Sequence, residues 1–192
     1  MTYTDADYAS CKVTRRTTSS FCIYFGRNLI VWGSKKQSVV ARFVGEAEYR
    51  AVAIGVTKLM WLKSLFVELG YPCVSTPVVW SDNLVAKSMV ENPMFHSRTK
   101  HVEIDVHFVR EKVECGEVEI RYVPTSDQVA DILTKGLPRD RFEFLYKRLG
   151  LKVSPVCADL KTVTAATVSS TKFLTSTEFD LKGTVEASNS LL

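Results

Sequence analysis

The 192-residue chain has no run approaching ~18 uninterrupted apolar residues, so no membrane-spanning helix is expected. Its start, Met1-Thr2-Tyr3-Thr4-Asp5, carries neither a basic segment nor an apolar stretch, which argues against a secretory signal peptide. The five cysteines (Cys11, Cys22, Cys73, Cys115 and Cys157) are scattered and form no Cys-x-x-Cys pair. They read as buried or bystander thiols of a reducing compartment. Three histidines, His96, His101 and His107, lie close together. A structural zinc site needs about four ligands at short spacings, and no nearby cysteine completes one. No internal repeat is visible. These absences point to an intracellular protein, cytoplasmic or nuclear, with no membrane partner.

What is present is ordinary in amount and uneven in distribution. The length suits one domain with a substantial core plus an appendage. A hydrophobic content of 46% and a charged content of 24% are usual for a soluble globular protein. The formal net charge is +4, yet residues 1–45 alone hold seven bases (Lys12, Arg15, Arg16, Arg27, Lys35, Lys36, Arg42) against two acids, Asp5 and Asp7. Such a collar favours a phosphate-backbone substrate. A solvated hairpin with charges that keep an edge soluble accounts for it equally well.

Residues 21–25 and 29–32 are short β-rich runs joined by Gly26-Arg27-Asn28, and with residues 3–9 they predict a three-strand meander. From Glu46 the period changes. Tyr49, Val52, Val56, Leu59, Leu62 and Phe66 recur at three- and four-residue steps, and Gly70 and Pro72 end the helix. A strand over 77–80 precedes a helix over 84–91, which stops before Asn92-Pro93. A helix over 102–114, an alternating strand over 117–123, and helices over 127–135 and 139–148 follow. The result is an α/β fold: a mixed sheet with an antiparallel meander and then parallel strands joined through helices. Beyond residue 151 the texture shifts. Thirteen of the last 41 residues are Ser or Thr, which reads as a disordered tail over 152–192 behind a domain of residues 1–151.

Four carboxylates stand where these elements begin or end: Asp5, Glu48, Asp82 and Asp131. Taken singly, each has a plain explanation. Glu46 and Glu48 suit the first turn of a helix, where the dipole favours an acid. Asp82 or Ser81 suits an N-cap, and Gly45 suits the cap of the long helix. Taken together they mean more, because clustered carboxylates repel and are stable chiefly as a trap for divalent cations. In open α/β sheets functional groups gather beyond the carboxyl ends of parallel strands. Asp82 is at such an end, and Asp5 joins it if the first strand pairs beside the fourth.

The segments Tyr3-Thr4-Asp5-Ala6-Asp7, Ser34-Lys35-Lys36-Gln37, Glu46-Ala47-Glu48-Tyr49-Arg50-Ala51, Ser81-Asp82-Asn83, Arg98-Thr99-Lys100-His101-Val102-Glu103-Ile104-Asp105 and Asp127-Gln128-Val129-Ala130-Asp131-Ile132-Leu133-Thr134-Lys135 occur in an order that resembles the ribonuclease H domain of copia-type retrotransposon Pol polyproteins. The resemblance implies a ribonuclease H-like fold, with a five-stranded mixed sheet flanked by helices. It also implies a catalytic and metal-binding set at Asp5, Glu48, Asp82 and Asp131. The cofactor would be two Mg2+ ions, with Mn2+ a substitute, and Asp5 the bridging ligand. The partner would be an RNA–DNA hybrid whose RNA strand is cleaved during reverse transcription, held by Arg15, Arg16, Lys35, Lys36 and Asn83. A reverse transcriptase domain supplied by another chain fits the same setting.

Three other observations bear on the reading. No histidine occupies residues 123–126, where cellular ribonucleases H often carry one, and His101 has no assigned role. Met1 lies only four residues before Asp5, which reads as an N-terminal truncation of the first strand and predicts lost ladder bonds there. The alternative is therefore a catalytically impaired remnant with residual nucleic-acid binding. An integrase core shares the fold, but its last acid is a Glu on a late helix and it lacks a Glu in the first long helix. Glu48 together with Asp131 argues against it.

Overall fold

A computed structural model describes residues 1–73, 75–91 and 102–151. His96, His101, the first half of the 98–105 motif and the 152–192 tail lie outside the described residues. The chain opens on an antiparallel meander of β1 (Thr2–Asp7), β2 (Thr18–Phe25) and β3 (Asn28–Lys36). Gly26 turns between β2 and β3 at φ 59°, a conformation that costs glycine nothing. Both strands run further than the apolar residues indicate. The ladder between them extends through Ser19↔Lys35 and Thr18↔Lys36, residues whose polarity suggests a loop. Tertiary hydrogen bonds account for the extension. Ser20 Oγ donates to the Ala130 carbonyl at 3.0 Å, and Gln37 Nε2 donates to Ser19 Oγ at 2.8 Å.

Helix α1 (Val44–Glu68) follows, then β4 (Val78–Ser81), α2 (Leu84–Glu91), α3 (Glu103–Glu114), β5 (Glu119–Tyr122) and α4 (Arg139–Arg148). Residues 127–135, expected as a helix, instead form two short 3₁₀ turns, Thr125–Asp127 and Val129–Leu133. The Gln128 side chain explains the break. Its Nε2 donates to the Thr4 carbonyl at 2.9 Å, while its Oε1 accepts from Ala130 N–H at 3.3 Å. A backbone clamped to β1 in this way cannot wind through Gln128 as one α-helix. The start of α1 also differs from expectation. Its N-cap is Phe43 rather than Gly45, and Phe43 makes no side-chain cap bond. The Glu46 side chain instead holds the approach to the helix, accepting from Arg42 N–H at 2.8 Å and from the Arg50 guanidinium at 2.9 Å.

The sheet order is β3-β2-β1-β4-β5, which puts β1 in the middle. Along its length β1 is paired to β2 from Thr2↔Ile23 to Asp7↔Thr18, and Met1 exchanges hydrogen bonds with Tyr24. Its parallel ladder with β4 is brief, only Thr2↔Val79 and Tyr3↔Trp80. On one face the α1 stripe of Tyr49, Val52, Val56, Leu59 and Leu62 packs on Ile23, Val79 and Ile120 and against Val106 and Val109 of α3. Cys22, Tyr24, Val129 and Leu149 make a smaller cluster elsewhere, with Tyr3, Ile132 and Leu133 against it.

Helix α1 approaches the sheet closely at Gly55, where a Cβ would lie 2.4 Å from the Thr4 methyl. Gly55→Ala should therefore lower the melting temperature, because overpacking of about 1–3 kcal/mol outweighs the gain in helix propensity of about 1 kcal/mol. Thr4→Ser removes the obstructing methyl. The Gly55→Ala penalty should shrink in that background, and thermal melts of the double-mutant cycle read it.

Candidate metal centre

The parallel ladder between β1 and β4 stops after Tyr3 and Trp80, and the acids gather beyond that point. Asp5 lies two residues further along β1. Asp82 directly follows β4, and Glu48 comes from the first two turns of α1. One carboxylate oxygen from each of the three lies within 4.8 Å of the other two. Asp5 is fully buried, Glu48 is 5% exposed, and Asp82 is half-buried. Three elements far apart in the sequence are thus needed to build one spot.

The plain explanations for these acids now separate. The dipole and capping role at the start of α1 belongs to Glu46, not Glu48. Asn83 Oδ1 caps α2, accepting from Val85 N–H at 2.9 Å and Ala86 N–H at 3.1 Å. Asp82 is left with a hydrogen bond from the Thr125 hydroxyl at 3.0 Å, so neither it nor Ser81 is the cap. Asp5 accepts from the Thr134 hydroxyl and, at 3.1 Å, from the Lys135 ammonium. Glu48 Oε2 is buried and has no hydrogen-bond partner among the described residues.

Asp131 stands beside this triad rather than within it. It is 3% exposed in the second 3₁₀ turn, and its Oδ1 accepts from Lys135 at 2.6 Å. Its Oδ2 lies 3.7 Å from an Arg141 guanidinium nitrogen. Lys135 therefore bridges Asp5 and Asp131. Sequence reasoning assigned no role to Gln128, Thr134, Lys135 or Arg141. The first three fall within the segment 127–135 singled out as a motif, which was the available signal.

The predicted nucleic-acid contacts are partly near this spot. Arg15 and Arg16 are exposed in the loop that leaves the acid end of β1, and Arg15 adopts φ 55°. Lys35 and Lys36 are exposed at the end of β3. Lys36 is in register with Thr18 and through it with Asp7, two strand spacings or about 10 Å away. The carbonyl oxygen of Asn83 is already spent on the cap.

Burial dominates the electrostatics. It pushes the Glu48 carboxyl up to about 9, and the negative neighbours Asp5 and Asp82 add to the rise. The Asp5 carboxyl is also raised by burial, a rise held back by the Thr134 and Lys135 contacts. Burial works against the charge on Lys135, but Asp131 and Asp5 more than offset it and hold the ammonium above its usual range. An all-oxygen donor set with one unsatisfied buried oxygen fits a hard divalent cation.

No family model matches the chain. It is 42% identical over 156 residues, 81% of its length, to the retrovirus-related Pol polyprotein from transposon RE2 of Arabidopsis thaliana. The chain belongs to the retrovirus-related Pol family of copia-type transposons. It spans about a tenth of the length of the curated Pol relatives it matches, 11% of RE2. Among solved structures, ribonuclease H1 LC11, isolated from compost, superposes with a TM-score of 0.53 at 14% identity, covering 69% of this chain and 90% of that one. The same protein in complex with an RNA/DNA hybrid gives 0.51 at 14% identity over 69% and 91%. The Pol-family domain thus has a ribonuclease H-like fold, a five-stranded mixed sheet flanked by helices. Among the described residues no helix is long and apolar enough to cross a membrane.

The raised Glu48 carboxyl makes the metal-free domain sensitive to pH. Folded, Glu48 keeps its proton up to about 9; unfolded, it loses it near 4.5. The folded state binds the extra proton between those limits, so this contribution is complete below the lower one and is lost as pH rises to the upper. Asp5 acts in the same sense. The melting temperature without metal should fall from mildly acidic to alkaline pH. Glu48→Gln should remove most of that slope and melt about 5 °C higher near pH 8, read by differential scanning calorimetry in chelator.

Proposed function

We propose that this domain is a divalent-metal-dependent endonuclease that cleaves the RNA strand of RNA–DNA hybrids formed in reverse transcription. The observation that carries the reading is the convergence of Asp5, Glu48 and Asp82 within 4.8 Å, with a buried Glu48 oxygen that no group among the described residues satisfies. Membership in the Pol family and the likeness in fold to a ribonuclease H1 support it. The hybrid bound by that ribonuclease is the substrate class we assign here. A reverse transcriptase domain, in this protein or on another chain, would supply it.

Asp5, Glu48 and Asp82 would hold Mg2+ or, in its place, Mn2+, with Asp131 completing the set for a second ion. Bound there, the cations supply Lewis-acid activation and charge neutralisation for hydrolysis of a phosphodiester. The rest is the work of the chain's own groups. The Thr125 hydroxyl fixes the Asp82 carboxylate, and Thr134 fixes Asp5. The Gln128 clamp locks the Asp131 turn onto β1 beside Asp5. Arg15, Arg16, Lys35 and Lys36 bind backbone phosphates and draw the duplex across the acid end of the sheet. Asp7 lies between that collar and the acids.

Incubation of a labelled RNA–DNA hybrid with the folded protein and Mg2+ should yield RNA fragments, and chelation should stop the reaction. Asp82→Asn should lower the rate at least about 100-fold, the scale of removing one preorganised electrostatic contact. Lys35→Ala/Lys36→Ala should weaken hybrid binding and reduce its salt dependence by roughly two charges. Wild-type cleavage no faster than the Asp82→Asn control would overturn the reading.

A further inference from the structure

Neither oxygen of Asp5 is free. Oδ2 accepts from the Thr134 hydroxyl, and Oδ1 accepts from Lys135 Nζ at 3.1 Å. The same ammonium donates to Asp131 Oδ1 at 2.6 Å, a shorter contact. The Lys135 side chain is a third exposed, whereas the two carboxylates it spans are 0% and 4% exposed. It enters from the solvent side and ends between two buried acids. Its backbone is held there as well, Lys135 N–H donating to the Asp131 carbonyl at 3.0 Å. On the other side of Asp5 the situation is reversed. Glu48 Oε2 has no hydrogen-bond donor among the described residues. The cluster is therefore asymmetric, open toward Glu48 and Asp82 and closed by a cation toward Asp131.

We infer that Lys135 is a tethered cation that occupies the position between Asp5 and Asp131 and competes with divalent metal there. This rests on the reading that these acids hold divalent ions, and it deepens that reading. The ammonium supplies one positive charge where two desolvated carboxylates would otherwise repel each other, so the metal-free domain keeps its shape. An ion entering on the Glu48–Asp82 side meets an unsatisfied oxygen. An ion entering between Asp5 and Asp131 must first displace the ammonium. The long, flexible lysine stem and its solvent-side entry allow that withdrawal without movement of the backbone. Arg141, 3.7 Å from Asp131 Oδ2, remains to screen Asp131 when Lys135 leaves. The role is one of positioning and of setting metal affinity, with no contact to a reacting atom required.

Mn2+ titration by isothermal calorimetry, without nucleic acid, tests this on the whole chain. Lys135→Met should take up a second ion, or bind at least about tenfold tighter than wild type, the effect of removing a like charge at contact range. Lys135→Arg keeps the charge and should show no such gain. Lys135→Met should also melt lower than wild type in chelator and recover the difference when Mn2+ is added. A lysine with a purely structural role would leave the affinity unchanged or weaken it, and either result overturns the inference. If Lys135→Met does not fold, the wild-type protein decides. Acetylation of Lys135, mapped by mass spectrometry, should be slow in chelator and rise several-fold with saturating Mg2+; equal labelling in both conditions overturns the proposal. Equal Mn2+ binding by wild type and Lys135→Met would sink this inference alone. No Mn2+ binding by either would remove the metal-centre reading along with it.

Discussion

The constraint on which this domain depends is the burial of negative charge at one end of its central strand. Three carboxylates approach within 4.8 Å, and a fourth lies one ammonium away. Moving such groups out of water costs several kcal/mol each unless a counter-charge or hydrogen bonds compensate. The protein compensates unevenly. Asp5 and Asp131 share Lys135, and Asp82 has the Thr125 hydroxyl, but Glu48 is buried with one oxygen unmatched and its carboxyl pushed up to about 9. Glu46, two residues from Glu48, has both oxygens occupied by Arg42 and Arg50.

The scaffold exists to hold that arrangement. The central place of β1 lets Asp5 be reached from both sides: α1 brings Glu48, while the 3₁₀ turn brings Asp131 and Lys135. The short β1–β4 ladder is what leaves the space, since the last pair, Tyr3↔Trp80, lies two residues before the acids on each strand. Gly55 lets α1 settle close onto Thr4, and Gln128 ties the late turn to the carbonyl of the same residue. Thr4 is thus gripped from α1 by packing and from the turn by a hydrogen bond. Asp5 is the next residue, so its carboxylate inherits the rigidity of both contacts.

Much of the architecture was legible because it rests on local rules. The three- and four-residue spacing in α1 marks a helix that buries one stripe, and it does so through Tyr49, Val52, Val56, Leu59 and Leu62. The limits of α2 and α4 fall where the sequence places them, at residues 84–91 and 139–148. Where the reading fell short, a tertiary partner had overridden local preference. Ser19 and Ser20 look like loop residues but belong to β2, because Gln37 and Ala130 satisfy their hydroxyls. Residues 127–135 have helix-like spacing, but Gln128 turns away to bond β1. The cap of α1 lies at Phe43, whose carbonyl accepts from Glu46 N–H and Ala47 N–H, while the Glu46 side chain ties back to Arg42 N–H ahead of the helix.

The candidate site divides along the same line. From the sequence alone came the four acids, their places at element ends, the basic collar of residues 1–45, and a family resemblance strong enough to order them. These are properties of residue type and spacing, and they survive without coordinates. Only the tertiary structure decided which acids meet. It placed Asp5, Glu48 and Asp82 together and set Asp131 behind a lysine. It gave the cap of α2 to Asn83, leaving Asp82 free of that task, and it distinguished Glu48 from Glu46. The physical reason is that a carboxylate's role depends on desolvation and on the few groups within hydrogen-bond reach. Those neighbours come from segments up to 130 residues apart in the chain, as with Asp5 and Lys135, and no local pattern in the sequence encodes them.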